Sequence, residues 1–425
     1  MNPAAKPQST KLNLSSFHPT HGLLHGHQPM FTTLITGLLS FLLLYLHHSN
    51  KSGSKTKRPP GPSGLPIIGN LHQLGSLQHR SLAHLAKIYG PLMHLKLGRV
   101  RTLVVSSPKM AELAMRTHDH ALCSRPILAA TNHLTYNSTD VIFAPYGPYW
   151  GHVRKICILE LLSSKRVQSF RNMRKEEVGR LVDSIFLSSK AKAPINLRDA
   201  FHSLANNVVC RVALWKSYWE DEPELKEILY SSRRLIGGFF VGDFFPSLEW
   251  VKNMTGDNIK SVVLDMFSAG TGSTAMVLEW GMSELKKNQS AMKKAQDEVR
   301  GIAKSNNKSM IEEKELQQLH YLKVVVKEIL RLHPPAPLLI PHESVEDCDI
   351  EGYFVPSKTR VLVNAWAIGR HPNSWVDPEE FRPEGFIGSN IDYKGQDFAL
   401  IPFGGRPKGM PWNFLYNGYP RACIG

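Results

Sequence analysis

Between Tyr321 and Leu332 the chain reads YLKVVVKEILRL, an aliphatic stretch that carries Glu328 and Arg331 one helical turn apart. At i,i+3 spacing the two charges share one helix face, and on most helices such a pair is a solvated surface contact of little energetic weight. Here Val324, Val325, Val326, Ile329, Leu330 and Leu332 surround it, so the pair reads as buried and structural. A helix of that kind requires protein on every side. The chain, at 425 residues and 42% hydrophobic, is long enough to supply it from one large domain or two ordinary ones.

Helical periodicity dominates the rest. RSLAHLAKIYG predicts an amphipathic helix ended by Gly90, and PKMAELAMRTH, WGHVRKICILELLS and EEVGRLVDSIFLSS predict three more. DNIKSVVLDMFSAG through EWGMSELKKN, SAMKKAQDEVRGIAK and KELQQLHYLKVVVKEILRLH complete the helical set. LMHLKLG and RTLVVSS alternate as a β-hairpin, and TRVLVNAWAIG reads as a late strand. The expected class is mainly α with a minor β-sheet, without internal repeats or low-complexity blocks.

The formal charge of +15 is spread along the chain, and no basic motif interleaved with aromatics accompanies it, so no nucleic-acid partner is expected. Such a surface suits solvent, an acidic protein partner or an anionic membrane face. Five scattered cysteines (Cys123, Cys157, Cys210, Cys348, Cys423) form no CxxC pair. They therefore predict neither a disulfide framework nor a zinc ribbon.

FTTLITGLLSFLLLYL, Phe31 to Leu46, is uncharged and is followed by Lys51, Lys55, Lys57 and Arg58. Its length as a helix is ~24 Å, short but sufficient for a thin bilayer. No small-residue cleavage site follows, so the run reads as a single-span anchor with the downstream domain on the cytoplasmic side. Residues 1–29, polar and carrying His18, His21, His25 and His27, read as a disordered extension ahead of a natural start at Met30. A basic and proline-rich hinge is expected over 47–62, with a globular domain from 63 to 425.

Four further stretches carry chemistry. Trp150 and Arg154 in WGHVR lie at i,i+4, where an indole N–H and a guanidinium can converge on an anion. FSAGTGSTAMVLEW sets Gly270, Thr271, Gly272, Ser273 and Thr274 into an apolar helical run. Small residues there permit close packing, or a kink and groove over a flat ligand. Phe403-Gly404-Gly405 opens a glycine-rich loop, and Arg421-Ala-Cys423-Ile-Gly425 closes the chain. A cysteine beside an arginine is a weak signal by itself, because the bland alternative is a small buried hydrophobe.

Taken in order, the anchor, the PPGP hinge, WxxxR, the AGT-containing helix, ExxR and the cysteine loop resemble a cytochrome P450 of the plant microsomal type. The resemblance runs from Phe31 to Gly425. It implies haem b, with Cys423 as the iron's thiolate ligand and Phe403 at the front of the cysteine loop. Trp150, Arg154, His342 and Arg421 would hold the haem propionates, and Ala269 and Gly270 would flank the oxygen site. Ser273 and Thr274 would relay protons, while Glu328 and Arg331 would anchor the core. Substrate contacts are implied at Ile127 to Ile142, Ala269, Leu338, Leu339 and Ile340. The implied activity is insertion of one atom of dioxygen into a small lipophilic substrate. Electrons would come from NADPH through cytochrome P450 reductase at the endoplasmic reticulum membrane.

The chain departs from that pattern at defined points. Gly272 stands where the family has an acid, and Ser273 where it has a threonine. PEGF, Pro383 to Phe386, replaces PERF, so the arginine expected to complete a triad with Glu328 and Arg331 is absent. Only VKNMTG, Val251 to Gly256, separates SLEW from DNIK, where the family places several tens of residues of lid. RPKGMPWNFLYNGY, Arg406 to Tyr419, splits the cysteine loop, and no proximal helix follows Gly425. An altered transcript or gene model, and a non-catalytic haem-binding or unstable remnant of the family, are the competing expectations. A secreted protein glycosylated at Asn137 and Asn253 is the remaining rival.

Overall fold

In the computed structural model the described residues are 57–214, 241–245, 258–306 and 311–405, with 33, 36, 37 and 40 ahead of them. The chain divides into two units, Met1–Lys55 and Thr56–Gly425. The proposed anchor, apart from four residues, lies outside the described set. Among the described residues no helix is long and apolar enough to cross a membrane.

The second unit begins with the proline-rich stretch, which does more than space. The Pro60 carbonyl accepts from the His94 N–H, and the Asn70 side chain and backbone pair with the Lys96 backbone. A Cβ on Gly61 would lie 2.0 Å from the His94 carbonyl oxygen, so only glycine allows this approach. Helix α1 (Gln78–Tyr89) follows and ends at Gly90, whose φ of 105° favours a residue without a side chain. Strands β1 (Leu92–Leu97) and β2 (Val100–Val105) form the antiparallel hairpin that alternation predicts.

Helix α2 (Pro108–Glu112) is capped by the Ser107 hydroxyl accepting from Met110 N, and α3 (Ala129–Leu134) is a short helix beyond it. Helix α4 (Pro148–Ile156) starts on a proline at N1 and passes into a wider π-type turn. Two longer helices follow, α5 (Arg171–Lys190) and α6 (Leu197–Leu214), tied by Arg211 to Glu176 and Glu177 at 2.6 Å each. Helix α7 (Asn258–Lys287) is continuous through Gly270 and Gly272, so the small residues sit in the helix without a break. A Cβ on Gly281 of the same helix would lie 2.9 Å from Ile329, showing how closely α7 meets its neighbour.

Helix α8 (Gln289–Ser305) lends Glu298 to the start of α9 (His320–Leu332), where its carboxylate accepts from Tyr321 N and Leu322 N. That substitutes for the missing cap at Leu319. Buried Val277, Leu285, Ala291, Val325, Ile329 and Leu330 form the core between α7, α8 and α9.

The late strands are β3 (His342–Glu343), β4 (Cys348–Ile350), β5 (Tyr353–Val355) and β6 (Arg360–Val363). Sheet order is β1-β2-β6-β3, with β2 and β6 parallel, and β4-β5 form a separate hairpin. Successive residues alternate between faces, so Val104 and Leu362 pack toward Leu82 of α1 while Leu103, Val105, Val361 and Val363 pack toward Met110. The predicted strand TRVLVNAWAIG is only half strand. Asn364 accepts from Ala367 N and starts helix α10 (Ala365–Ile368) there, the local competition that asparagine offers to a ladder.

Two glycines separate packing from propensity. A Cβ on Gly369 would stand 2.5 Å from the Arg331 carbonyl oxygen, whereas one on Gly301 in α8 meets nothing within 4 Å. Gly369→Ala is expected to destabilise by about 1–3 kcal/mol, and Gly301→Ala to stabilise by about 0.5–1 kcal/mol. Urea titrations of both variants check the opposite signs.

Burial, reinforced by Arg58 and Arg101, lowers the His94 pKa to about 4. The unfolded imidazole takes up its proton near pH 6.5 while the folded one stays neutral, so stability falls as pH drops from 6.5 toward 4. The His94→Gln variant should lose about 1–2 kcal/mol less than the parent between pH 7 and about pH 5, measured by denaturant midpoints at each pH.

Candidate haem site

Glu328 and Arg331 are 1% and 3% exposed on α9. The Arg331 Nε and Nη2 donate to the two carboxylate oxygens at 2.6 and 2.7 Å, a bidentate fork. Its guanidinium also donates to the carbonyls of Gly369, Pro378 and Glu380. Arg382 sits close by, but it is its backbone N–H that donates to Glu328 Oε1, at 2.6 Å. Its side chain pairs instead with Asp377. A peptide donor thus meets the carboxylate in a chain that has glycine at 385.

Trp150 and Arg154 project together from α4. The guanidinium lies 5.1 Å from the Trp150 ring centroid, and burial lowers its pKa. The indole N–H, expected to reach an anion, donates to the Val141 carbonyl at 3.0 Å. Trp150 therefore fastens a loop and supports Arg154 from one side.

His342, on β3, shares a hydrogen bond through Nδ1 with the Leu122 carbonyl at 3.0 Å. Burial first, then the nearby Arg125, holds its pKa well below the usual imidazole value. Arg125 has no motif to mark it in the sequence. Its Nη1 donates to Ile340 O and Pro341 O, which fixes the approach to β3. Ser124 joins β3 to the entry of α4, since its carbonyl accepts from Glu343 N and its hydroxyl from Tyr146 N.

On α7, Gly270, Thr271 and Thr274 are buried and Ser273 is half-buried. Ala269 is helical. Phe403 packs against the α7–α9 core and meets Tyr393 edge-on at 6.4 Å. Leu339 packs on the core beneath the sheet and Leu338 on the opposite one, while Ile340 is half-buried. Ile127 is exposed and Ile142 half-buried at the two ends of one segment. Arg421 and Cys423 lie outside the described residues.

Arg154 is buried, and His342 and Arg125 are half-buried. A buried guanidinium such as that of Arg154 favours the approach of an anion, which lowers the cost of removing its charge from water. His342, held neutral by its burial, can offer an anion only a ring N–H. A flat cofactor with two carboxylates is compatible with that preference. This architecture defines a mainly helical protein with a small sheet, with Arg154, Arg125 and His342 carried on elements joined through Ser124.

The comparisons give the family. The cytochrome P450 family model matches residues 59–253 and 243–408. The chain is 44% identical to cytochrome P450 71AP13 of Prunus mume, covering 92% of this chain and 86% of that protein. It is 44% identical to cytochrome P450 71A1 of Persea americana over 81% of this chain and 80% of that one. Costunolide synthase of Cichorium intybus shares 40% identity, over 92% and 90%. The chain belongs to the cytochrome P450 family, a family of haem-dependent monooxygenases.

Two of the departures, the short stretch after SLEW and the split cysteine loop, coincide with the bounds of these matches. The family match comes in two pieces whose ends fall at 243–253, beside the short VKNMTG stretch, and the second ends at 408, ahead of Cys423. The alignment to the Prunus mume protein runs over 448 positions with 92% of a 425-residue chain, so several tens of its positions find no residue here.

Removing one partner of the α9 pair leaves the other charge buried. Glu328→Ala is expected to cost about 3–5 kcal/mol, enough to deplete folded protein in an expression trial. The check is the denaturant midpoint of the variant beside the parent.

Proposed function

We propose that this chain is a membrane-anchored haem-thiolate monooxygenase of plant specialised metabolism, acting on a small lipophilic substrate. The observation that supports the reading is that Arg154, Arg125 and His342 lie on elements linked through Ser124, in a chain of this family. Relatives named costunolide synthase and desmethyl-deoxy-podophyllotoxin synthase support a substrate drawn from lipophilic plant products.

In this reading Arg154, His342 and Arg421 hold the propionates and Cys423 ligates the iron. Bound haem supplies the activation of dioxygen. The polypeptide positions the substrate between Ile127–Ile142, Ala269 and Leu338–Ile340, and excludes water from it. Ser273 keeps a hydroxyl for moving protons along α7, while Gly272 leaves that path without a carboxylate. Phe31–Leu46 anchors the chain in the endoplasmic reticulum membrane, 47–62 is the hinge, and 63–425 is the catalytic domain facing the cytosol. NADPH-cytochrome P450 reductase delivers the electrons.

The second reading is a non-catalytic, haem-binding member of the same family. It is favoured by the seam at 243–253, the match ending at 408 and the glycine at 272.

A dithionite-reduced, carbon-monoxide difference spectrum of the full chain in detergent tests both. A red-shifted Soret band that disappears in Cys423→Ser is the expected result. Its absence from folded protein overturns haem-thiolate ligation. With the band present, NADPH consumption in the presence of reductase supports the enzyme, and none supports the binder.

A further inference from the structure

Residues Ile127 to Ile142 contain an uncommon piece of backbone. Tyr136, Asn137 and Ser138 have φ of 51°, 66° and 55°, three successive non-glycine residues in the left-handed region. Such a run is strained, and it persists only where its surroundings over-determine it. The fastenings are visible. At the far end Trp150 Nε1 donates to Val141 O and the Tyr149 hydroxyl donates to Thr139 O at 2.7 Å. Just before the near end, Arg125 holds Ile340 O and Pro341 O.

At the near end itself, the Ala129 N–H donates to a carboxylate oxygen of Asp243 at 2.5 Å. Asp243 belongs to a short turn of helix, Val241–Phe244, remote in sequence from α3. That turn is bolted to the sheet. Arg360 of β6 donates through Nη2 to the Asp243 carbonyl at 2.9 Å and lies over the Phe244 ring at 5.6 Å. The Arg99 N–H, in the β1–β2 turn, donates to Phe244 O at 2.8 Å. A Cβ on Gly98 would come within 2.5 Å of that same carbonyl oxygen. The Asp243 carboxylate thus reaches α3 from a support held by β6 and the β1–β2 turn.

We propose that Asp243 is a positioning residue. By holding Ala129 it pins the segment Ile127–Ile142 in its left-handed form, and so fixes the wall that this segment gives to the substrate space. The last part rests on the monooxygenase reading, in which that segment faces the substrate. The pin itself does not. Asp243 also lies within the seam of the family match at 243–253, so the short stretch that follows leaves this contact in place.

The test compares the full chain with Asp243→Ala and Asp243→Asn by hydrogen–deuterium exchange. Amides of Leu128–Leu134 and Thr135–Ile142 should exchange about tenfold faster in Asp243→Ala, and less so in Asp243→Asn, which keeps an acceptor oxygen. Amides of α9 should not change. Unchanged exchange over 128–142, or an equal rise in α9, overturns the pin. In haem-loaded protein, clotrimazole should bind about fivefold tighter to Asp243→Ala because it no longer has to displace a fixed segment, with imidazole unchanged. An unaltered ratio of the two affinities overturns the effect on the site. A chain that shows no carbon-monoxide band fails the monooxygenase reading alone, and the exchange result still decides the pin.

Discussion

The bidentate contact between Glu328 and Arg331 is the point on which the rest of the domain is hung. Two charges on a helix with apolar neighbours can be taken out of water only if their remaining hydrogen-bonding groups are matched. Arg331 meets that condition by reaching three carbonyls outside its own helix, those of Gly369, Pro378 and Glu380. These belong to the loop-rich stretch after α10, so one guanidinium holds that irregular chain against α9. Trp375 lies over the same guanidinium, 5.2 Å from its carbon to the ring centroid, and covers it from the loop side. Glu328 is completed by a peptide N–H from Arg382. A backbone donor brings no charge to be desolvated, which is why a glycine at 385 is compatible with a matched carboxylate here. A Cβ at that glycine meets nothing within 4 Å, so sterics do not explain the residue.

Much of this is legible in the sequence because it is local. The periodicity of α1, α8 and α9 and the alternation of β1 and β2 are properties of neighbouring residues. The aliphatic setting of Glu328 and Arg331 already implies burial. The late strand departs from its pattern for a local reason as well, since Asn364 ends the ladder by capping a helix. What periodicity does not show is long-range. Trp150 spending its N–H on Val141, Arg125 holding Ile340 and Pro341, and Asp243 reaching Ala129 all join residues that no motif connects.

Those long-range bonds share a logic. Two of them tie a loop or helix-start group to a helix, Trp150 on α4 and Asp243 on its short helical turn, while Arg125 ties one loop to another. Together with bonds from β3 and Val345 they hold the segment from Ala121 to Val141 on both sides. Val345 N donates to Ala121 O, Glu343 N to Ser124 O, and Trp150 to Val141 O. A left-handed turn in the middle of such a segment is strained backbone kept in place by its ends. Rigid supports with a strained span between them give a loop one shape without filling it with apolar core. The same supports carry Arg154 on α4 and His342 on β3. The geometry of the proposed propionate side and that of the loop beside it are therefore set by one network, and a change in either should be felt in the other.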